Sequence, residues 1–401
     1  FYSSDGMRPD LMGRYADGGA MPNYARLLRT GVRGVNGLVQ AFPPNTGVGW
    51  YTLATGTWPG EHGSTNNTFH RIGEGNFNNR TSFATPGILQ ADTLAAAAER
   101  AGRKVAQVEW AGGRIHDING PTVDFLNFFS TRGVLTTPAI PDEQAGAAAF
   151  GLSYQIASFA PASGWSNVPA GDPAAPPQQS TLTVATTFAA QNPTRAYDLY
   201  VYDSVVDGQR AYDHLILVRA GAGKDGTQQS ADLAVGDFEE VKLAGADGLI
   251  GGRAGQSAGF YVKLIWMAGD LSRFKLYFTS VERAIATCRT TACEALPAGG
   301  PGEDRLEKHI ADNLPSWIAA DFAPLEAHII DEETYVEQGL YWKDAHLRYL
   351  RYILSTGAVD TGRGDTIAGL GIQPNLLLLG NPVTDEFSHQ FMGLVTPTDL
   401  D

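Results

Sequence analysis

The stretch "ADTLAAAAERAGRKVAQVEW", residues 91–110, decides the fold: residues 91–102 read as a strong helix, and "KVAQVEW" at 104–110 as the strand that follows it. Working back from there, Thr46 to Thr55 can form a helix, and "GVNGLVQAF" at 34–42 predicts a second strand. "PNYARLLRT" at 22–30 fits a helix stopped by Gly31, and Phe1 to Ser4 fit the last part of a strand. Strand and helix in alternation are the signature of a parallel sheet covered by helices on both faces.

Working forward, residues 131–182 turn rich in Pro, Ala, Gly and Ser and predict long surface connections. From 196 to 283 the chain is β-rich, aromatic and punctuated by turns, which predicts an inserted antiparallel subdomain. Helices resume at 303–318 and 331–355. "NLLLLGNPV" at 375–383, bounded by Pro374 and Pro382, predicts a buried parallel strand. The expected division is therefore a first part of an α/β core at 1–185, a cap-like β-rich insertion at 186–295, and the rest of the core at 296–401.

A chain of 401 residues can bury a large core in one α/β domain or two. Its net charge of -14 argues against binding duplex nucleic acid or an anionic membrane surface. An anionic substrate stays open, because a bound divalent cation can reverse the field inside one cleft. No run of 18 apolar residues is present to span a bilayer. The two cysteines, Cys288 and Cys293, have a spacing compatible with one small disulfide loop and lack the further soft ligands of a metal knuckle.

Three polar features follow apolar runs where parallel strands should end, the edge at which ligands collect in open α/β sheets. Asp5, followed by Gly6, can be a hard metal ligand or a turn residue. Asp385 and His389 in "DEFSH" can converge on one zinc-like ion. In "AFPPNTGVGWYTLATGTWPGEHGSTNN", residues 41–67, Thr46 would stand at a helix N-terminus, among unpaired backbone N–H groups that suit an anion. By itself such a threonine is a helix cap or a nucleophile.

Taken in order, Asp5-Gly6-Met7-Arg8, the 41–67 segment and "NLLLLGNPVTDEFSH" resemble the motifs of the type I phosphodiesterase/nucleotide pyrophosphatase family, in the alkaline phosphatase superfamily. The resemblance implies two divalent metal ions, zinc in the first place, and a small phosphorylated substrate. It implies metal-ligand roles for Asp5, Thr46, Asp385 and His389, with Thr46 also the nucleophile that forms a threonyl-phosphate. Asn67, or its neighbour Asn66, would hold a phosphoryl oxygen. His62 is read as structural, as is the Asp213-His214 pair. His70, His116, His309, His328 and His346 are read as ordinary surface or helix histidines.

The chain departs from the family at Gly47, where nucleotide-cleaving members often carry an aromatic residue that stacks the base. The family also needs a further Asp-His pair and a last His downstream of Asp385 and His389. These are expected beyond Asp401, so the chain is read as lacking its C-terminal part. The same fold also supports a phosphomonoesterase, a sulfatase or a phospho-headgroup transferase. Outside the enzymes the alternative is a binding protein with a degenerate site. Resemblance, cysteine spacing and acidic composition together point to a periplasm or the exterior.

Overall fold

The computed structural model describes the chain except for positions 36, 71, 74, 77–78, 116–117, 128–129, 187–192, 245–254, 301 and 396–401. Its main sheet has ten strands. Four run parallel and adjacent: Tyr2–Ser4, Leu376–Asn381, Val105–Val108 and Thr122–Asn127. Beyond them Glu282–Thr287 is antiparallel to Thr122–Asn127, and the sheet continues through Ala258–Met267, Phe274–Phe278, Gly133–Thr137 and Ser153–Ile156. Phe238–Leu243 pairs with Ala258–Met267 off this path.

Alternation along Val105–Val108 explains the layers, since successive side chains leave opposite faces of a strand. Val105 packs with Trp50, Ala54 and Ala95, from the helices Thr46–Thr55 and Leu94–Arg100. Ala106 and Val108 pack the other way, against Leu306 and Ile310 of Arg305–Asn313 and Tyr349 and Tyr352 of Glu332–Leu354. Helices therefore flank the parallel strands on both faces, an α/β arrangement consistent with an alkaline-phosphatase-like fold.

Three expectations about local structure change. The described residues of 34–42 carry no strand; Val35, Leu38 and Phe42 are 100%, 73% and 86% exposed, and glycines at 34 and 37 interrupt the segment. Residues 131–182 are not simply connections, for they hold Gly133–Thr137, the helix Pro141–Ala149 and Ser153–Ile156. Proline misled there: Pro141 occupies the first helical turn, where its missing N–H costs nothing. Residues 186–295, expected to be one insertion, divide between two sheets. Arg195–Tyr202, His214–Arg219 and Gln229–Ala234 join Gln178–Val184 and Ala160–Pro161 in a separate antiparallel sheet. The later strands complete the main sheet, and the two sheets share a core containing Leu199, Leu217, Phe260 and Leu276.

Cys288 and Cys293 form a disulfide with an S–S distance of 2.06 Å. It sits beside the main sheet, where both sulfurs join the core around Leu306. No helix among the described residues is long and apolar enough to cross a membrane.

Close backbone approach fixes one position near the centre of the parallel strands. A Cβ at Gly380 would lie 1.8 Å from the carbonyl oxygen of Glu109 and 3.1 Å from the Trp50 ring. Gly380→Ala should therefore destabilise the fold by about 1–3 kcal/mol through overpacking, read as a lower urea midpoint at unchanged slope.

Candidate active site

Parallel pairing of Tyr2–Ser4 with Leu376–Asn381 places Ser4 opposite Asn381. The backbone N–H of Asp5 then donates to the Asn381 carbonyl at 3.1 Å. Polar side chains lock this corner: Asn381 Nδ2 donates to Ser4 Oγ at 3.1 Å and to Thr384 Oγ1 at 3.0 Å. The helix Val383–Val395 starts directly after it and carries Asp385 and His389 one turn apart. Gly6 has φ +62° and lies so close that a Cβ there would stand 2.6 Å from both Cα and Oδ1 of Asp385. A side chain at position 6 would thus separate the two carboxylates.

Asp5, Asp385 and His389 consequently share one corner of the sheet. His389 Nε2 lies 3.3 Å from Asp385 Oδ2. Burial holds the Asp385 carboxyl above its usual range, the Asp5 carboxylate pushes it the same way, and His389 opposes. Glu386 beside it is also raised, by burial first and by Asp385 second.

Thr46 occupies the first turn of the helix Thr46–Thr55. The expected ring of unpaired N–H groups around it is not there. Gly47 N–H donates to Asn67 Oδ1 at 2.6 Å, and Val48 N–H to Asn45 Oδ1 at 3.3 Å, so side chains already cap the terminus. With Oδ1 of Asn67 held in this way, its amide nitrogen is the end left to face a ligand beside Thr46. Asn66 braces the turn instead, its Oδ1 accepting from Asn67 N at 2.8 Å and from Asn45 Nδ2 at 3.1 Å. No hydrogen bond engages the Thr46 hydroxyl among the described residues, and the residue is half-buried.

Gly47 is closed to a larger residue. A Cβ there would meet Phe83 Cγ at 2.7 Å and the Asn66 carbonyl at 2.9 Å. An aromatic side chain at this position would collide with Phe83, whose own ring packs edge-on against Tyr51.

Trp50 joins the two halves of the site. It lies one turn after Thr46 on the same helix face, and its indole N–H donates to Asp5 Oδ2 at 3.0 Å. Trp50 is buried and meets Trp110 edge-on at 4.8 Å, so the indole is held by packing rather than offered to a substrate. Nothing in the sequence announced this contact, since a tryptophan in an apolar helix reads as core.

A second polar cluster lies at the same edge of the sheet. Glu109 follows the strand Val105–Val108 with φ +49°. Its Oε1 accepts from the indole N–H groups of Trp317 and Trp342, both at 2.9 Å, and its Oε2 lies 2.7 Å from His346 Nδ1. His346 is thus no ordinary helix histidine: it is 3% exposed and paired with a carboxylate. The signal that singled out Asp5, a carboxylate directly after an apolar strand, could have found Glu109.

The remaining histidines stand apart from the site. His62 is fully buried, accepting from Ser64 N–H at Nδ1 and lying 3.1 Å from Thr52 Oγ1 at Nε2, and burial lowers its pKa. His309 stacks on Tyr352, and His328 is exposed. His70 is half-buried in the loop after the short strand Thr68–Phe69. His214 lies on the separate sheet, 3.1 Å from Asp213 Oδ1, and Asp213 is itself engaged by Ser204. His116 lies outside the described residues.

Two carboxylates that repel each other, with an imidazole alongside, are a donor set of oxygen and nitrogen that suits a divalent ion such as zinc. The set is partial: among the described residues no three His, Cys, Asp or Glu groups cluster tightly enough to hold a metal by themselves.

Capping of the Thr46 helix gives a direct test of this geometry. Asn45→Ala removes the bond to Val48 N–H and should cost about 1 kcal/mol of stability, measured by denaturant titration.

The chain matches no curated protein and no solved structure in the comparisons made. Residues 2–148, which include Asp5, Thr46 and Asn67 but not Asp385 or His389, match the family model for type I phosphodiesterase / nucleotide pyrophosphatase, a family of hydrolases within the alkaline phosphatase superfamily.

Proposed function

We propose that the chain hydrolyses phosphodiester or pyrophosphate bonds of small phosphorylated substrates through a threonyl-phosphate intermediate on Thr46. One observation carries this reading: the unengaged Thr46 hydroxyl sits on the helix whose Trp50 grips Asp5, and Asp5 stands against Asp385 and His389. Nucleophile and candidate metal ligands are thereby attached to one rigid corner.

Thr46 Oγ attacks the phosphorus in line with the departing oxygen. A bond from Thr46 to phosphorus forms as the bond to the leaving group breaks; the Thr46 hydroxyl proton passes to solvent, and the departing oxygen takes one up from solvent. In the second step water attacks the same phosphorus from the side the leaving group vacated. Thr46 is released and recovers a proton, and the product is the phosphorylated half of the substrate. The Asn67 amide, oriented by the Gly47 N–H, donates to a non-bridging oxygen as charge builds there.

Asp5, Thr46, Asp385 and His389 would hold divalent ions, most naturally zinc. When bound, such ions supply positive charge to the phosphoryl oxygens and favour the ionised hydroxyl of Thr46. Trp50 holds the Asp5 carboxylate in one orientation, the service that outer-shell donors give to metal ligands. Export to a periplasm or the exterior agrees with the disulfide, which persists in oxidising compartments.

Thr46→Ala should lower kcat at least about a thousandfold on 4-nitrophenyl phosphodiesters while leaving the thermal transition in place. Activity within tenfold of the parent would end the proposal. Parallel assays on aryl monoesters and sulfates separate a diesterase from its relatives in chemistry. Trp50→Phe should weaken zinc affinity by about 10–100-fold, measured by competition with a chromogenic chelator. Unchanged affinity would remove Asp5 from the ligand set.

A further inference from the structure

We propose that a cavity of about 500 Å³ beside Asp385 receives the alcohol part of the substrate, and that this alcohol is an uncharged, hydroxyl-bearing group rather than an anion. The proposal rests on the hydrolase reading above and names its substrate class.

The cavity opens at the same sheet edge as the site. Ser130 and Arg132 flank the end of Thr122–Asn127 and the start of Gly133–Thr137, while Thr279, Ser280 and Glu282 connect Phe278 to the strand that pairs with Asn127. Its far wall is residues 318–322, and it reaches Glu386, the neighbour of Asp385. Its volume falls within the usual range for a small-molecule pocket.

Three observations define what would fit. Gln338, fully buried, lines the cavity with its Oε1 accepting from Tyr277 OH at 3.1 Å and its Nε2 without a partner among the described residues. An unpaired buried N–H is costly, so the missing occupant should carry an acceptor oxygen. The Glu386 carboxylate also lines the cavity and can accept from a donor on the occupant. A hydroxyl group is both. Charge then excludes an anion: among the described lining residues a single guanidinium, Arg132, faces three carboxylates, and Arg132 is already paired with Asp321. Ser280 donates to Glu282, which keeps that carboxylate in place. A second phosphate or a carboxylate on the substrate would meet net negative charge.

The test uses the zinc-loaded protein and two chromogenic diesters that differ in one group, the 4-nitrophenyl esters of glycerol phosphate and of the corresponding glycerate phosphate. The glycerol ester should show at least about tenfold higher kcat/KM. Gln338→Met and Ala319→Phe, the latter filling the cavity without touching its polar groups, should each raise KM for the glycerol ester about tenfold while each variant keeps the parent's thermal transition. Equal or better turnover of the glycerate ester would overturn the proposal, as would folded variants with unaltered KM. If the protein hydrolyses none of the esters, the hydrolase reading fails and calorimetry decides the cavity: glycerol 3-phosphate binding that Ala319→Phe weakens supports it, and no binding to the parent overturns it.

Discussion

The candidate site depends on one pairing, the three-residue ladder between Tyr2–Ser4 and Leu376–Asn381. Phe1 reaches across it too, its amino group donating to the Leu377 carbonyl at 2.7 Å over a separation of 376 residues. Closing so long a loop carries an entropic cost that grows only slowly with length, and a few backbone bonds with a packed neighbour can offset it. The neighbour is Trp50, clamped between Trp110 and the Gly380 backbone. From that ladder follow the contact of Asp5 with Asp385, the direction of the helix carrying His389, and the placement of Thr46.

Glu109 gives the same edge its rigidity from below. A carboxylate buried among two indoles and an imidazole has its acceptors met, which is the condition under which a buried charge is tolerated. The three groups it gathers come from two places: Trp317 from a loop, and Trp342 and His346 from the long helix Glu332–Leu354. Its positive φ turns the chain sharply at the strand end. Trp110, next in sequence, is thereby delivered to Trp50.

How much of this the sequence revealed depended on whether the signal was local. Helices at Pro22–Thr30, Thr46–Thr55 and Glu332–Leu354 and the strand at Leu376–Asn381 carry their own caps, stops and apolar runs, and they were legible. Residues 34–42 look like a strand by composition, but the described ones find no strand partner, because pairing is decided by distant chain. The split of residues 186–295 between two sheets was hidden for the same reason. Among the candidate site residues, Asp5, Thr46, Asp385 and His389 were picked out through residue type and order, and the structure brings Asp5, Asp385 and His389 to one corner. Trp50, Glu109 and Gln338 were not, since their roles arise from contacts 45, 208 and 61 residues away along the chain.

The ladder at the first strand also bears on how the protein is made. Ribosomal synthesis delivers Asp5 and Thr46 early and Asp385 only after most of the described chain has emerged. A nascent chain holding the matched family segment alone therefore carries Asp5 and Thr46 without Asp385 or His389. The strand Tyr2–Ser4 waits for its partner Leu376–Asn381, synthesised hundreds of residues later. High contact order of this kind makes closure of the candidate site a late event in folding, so assembly of that corner and completion of the sheet arrive together.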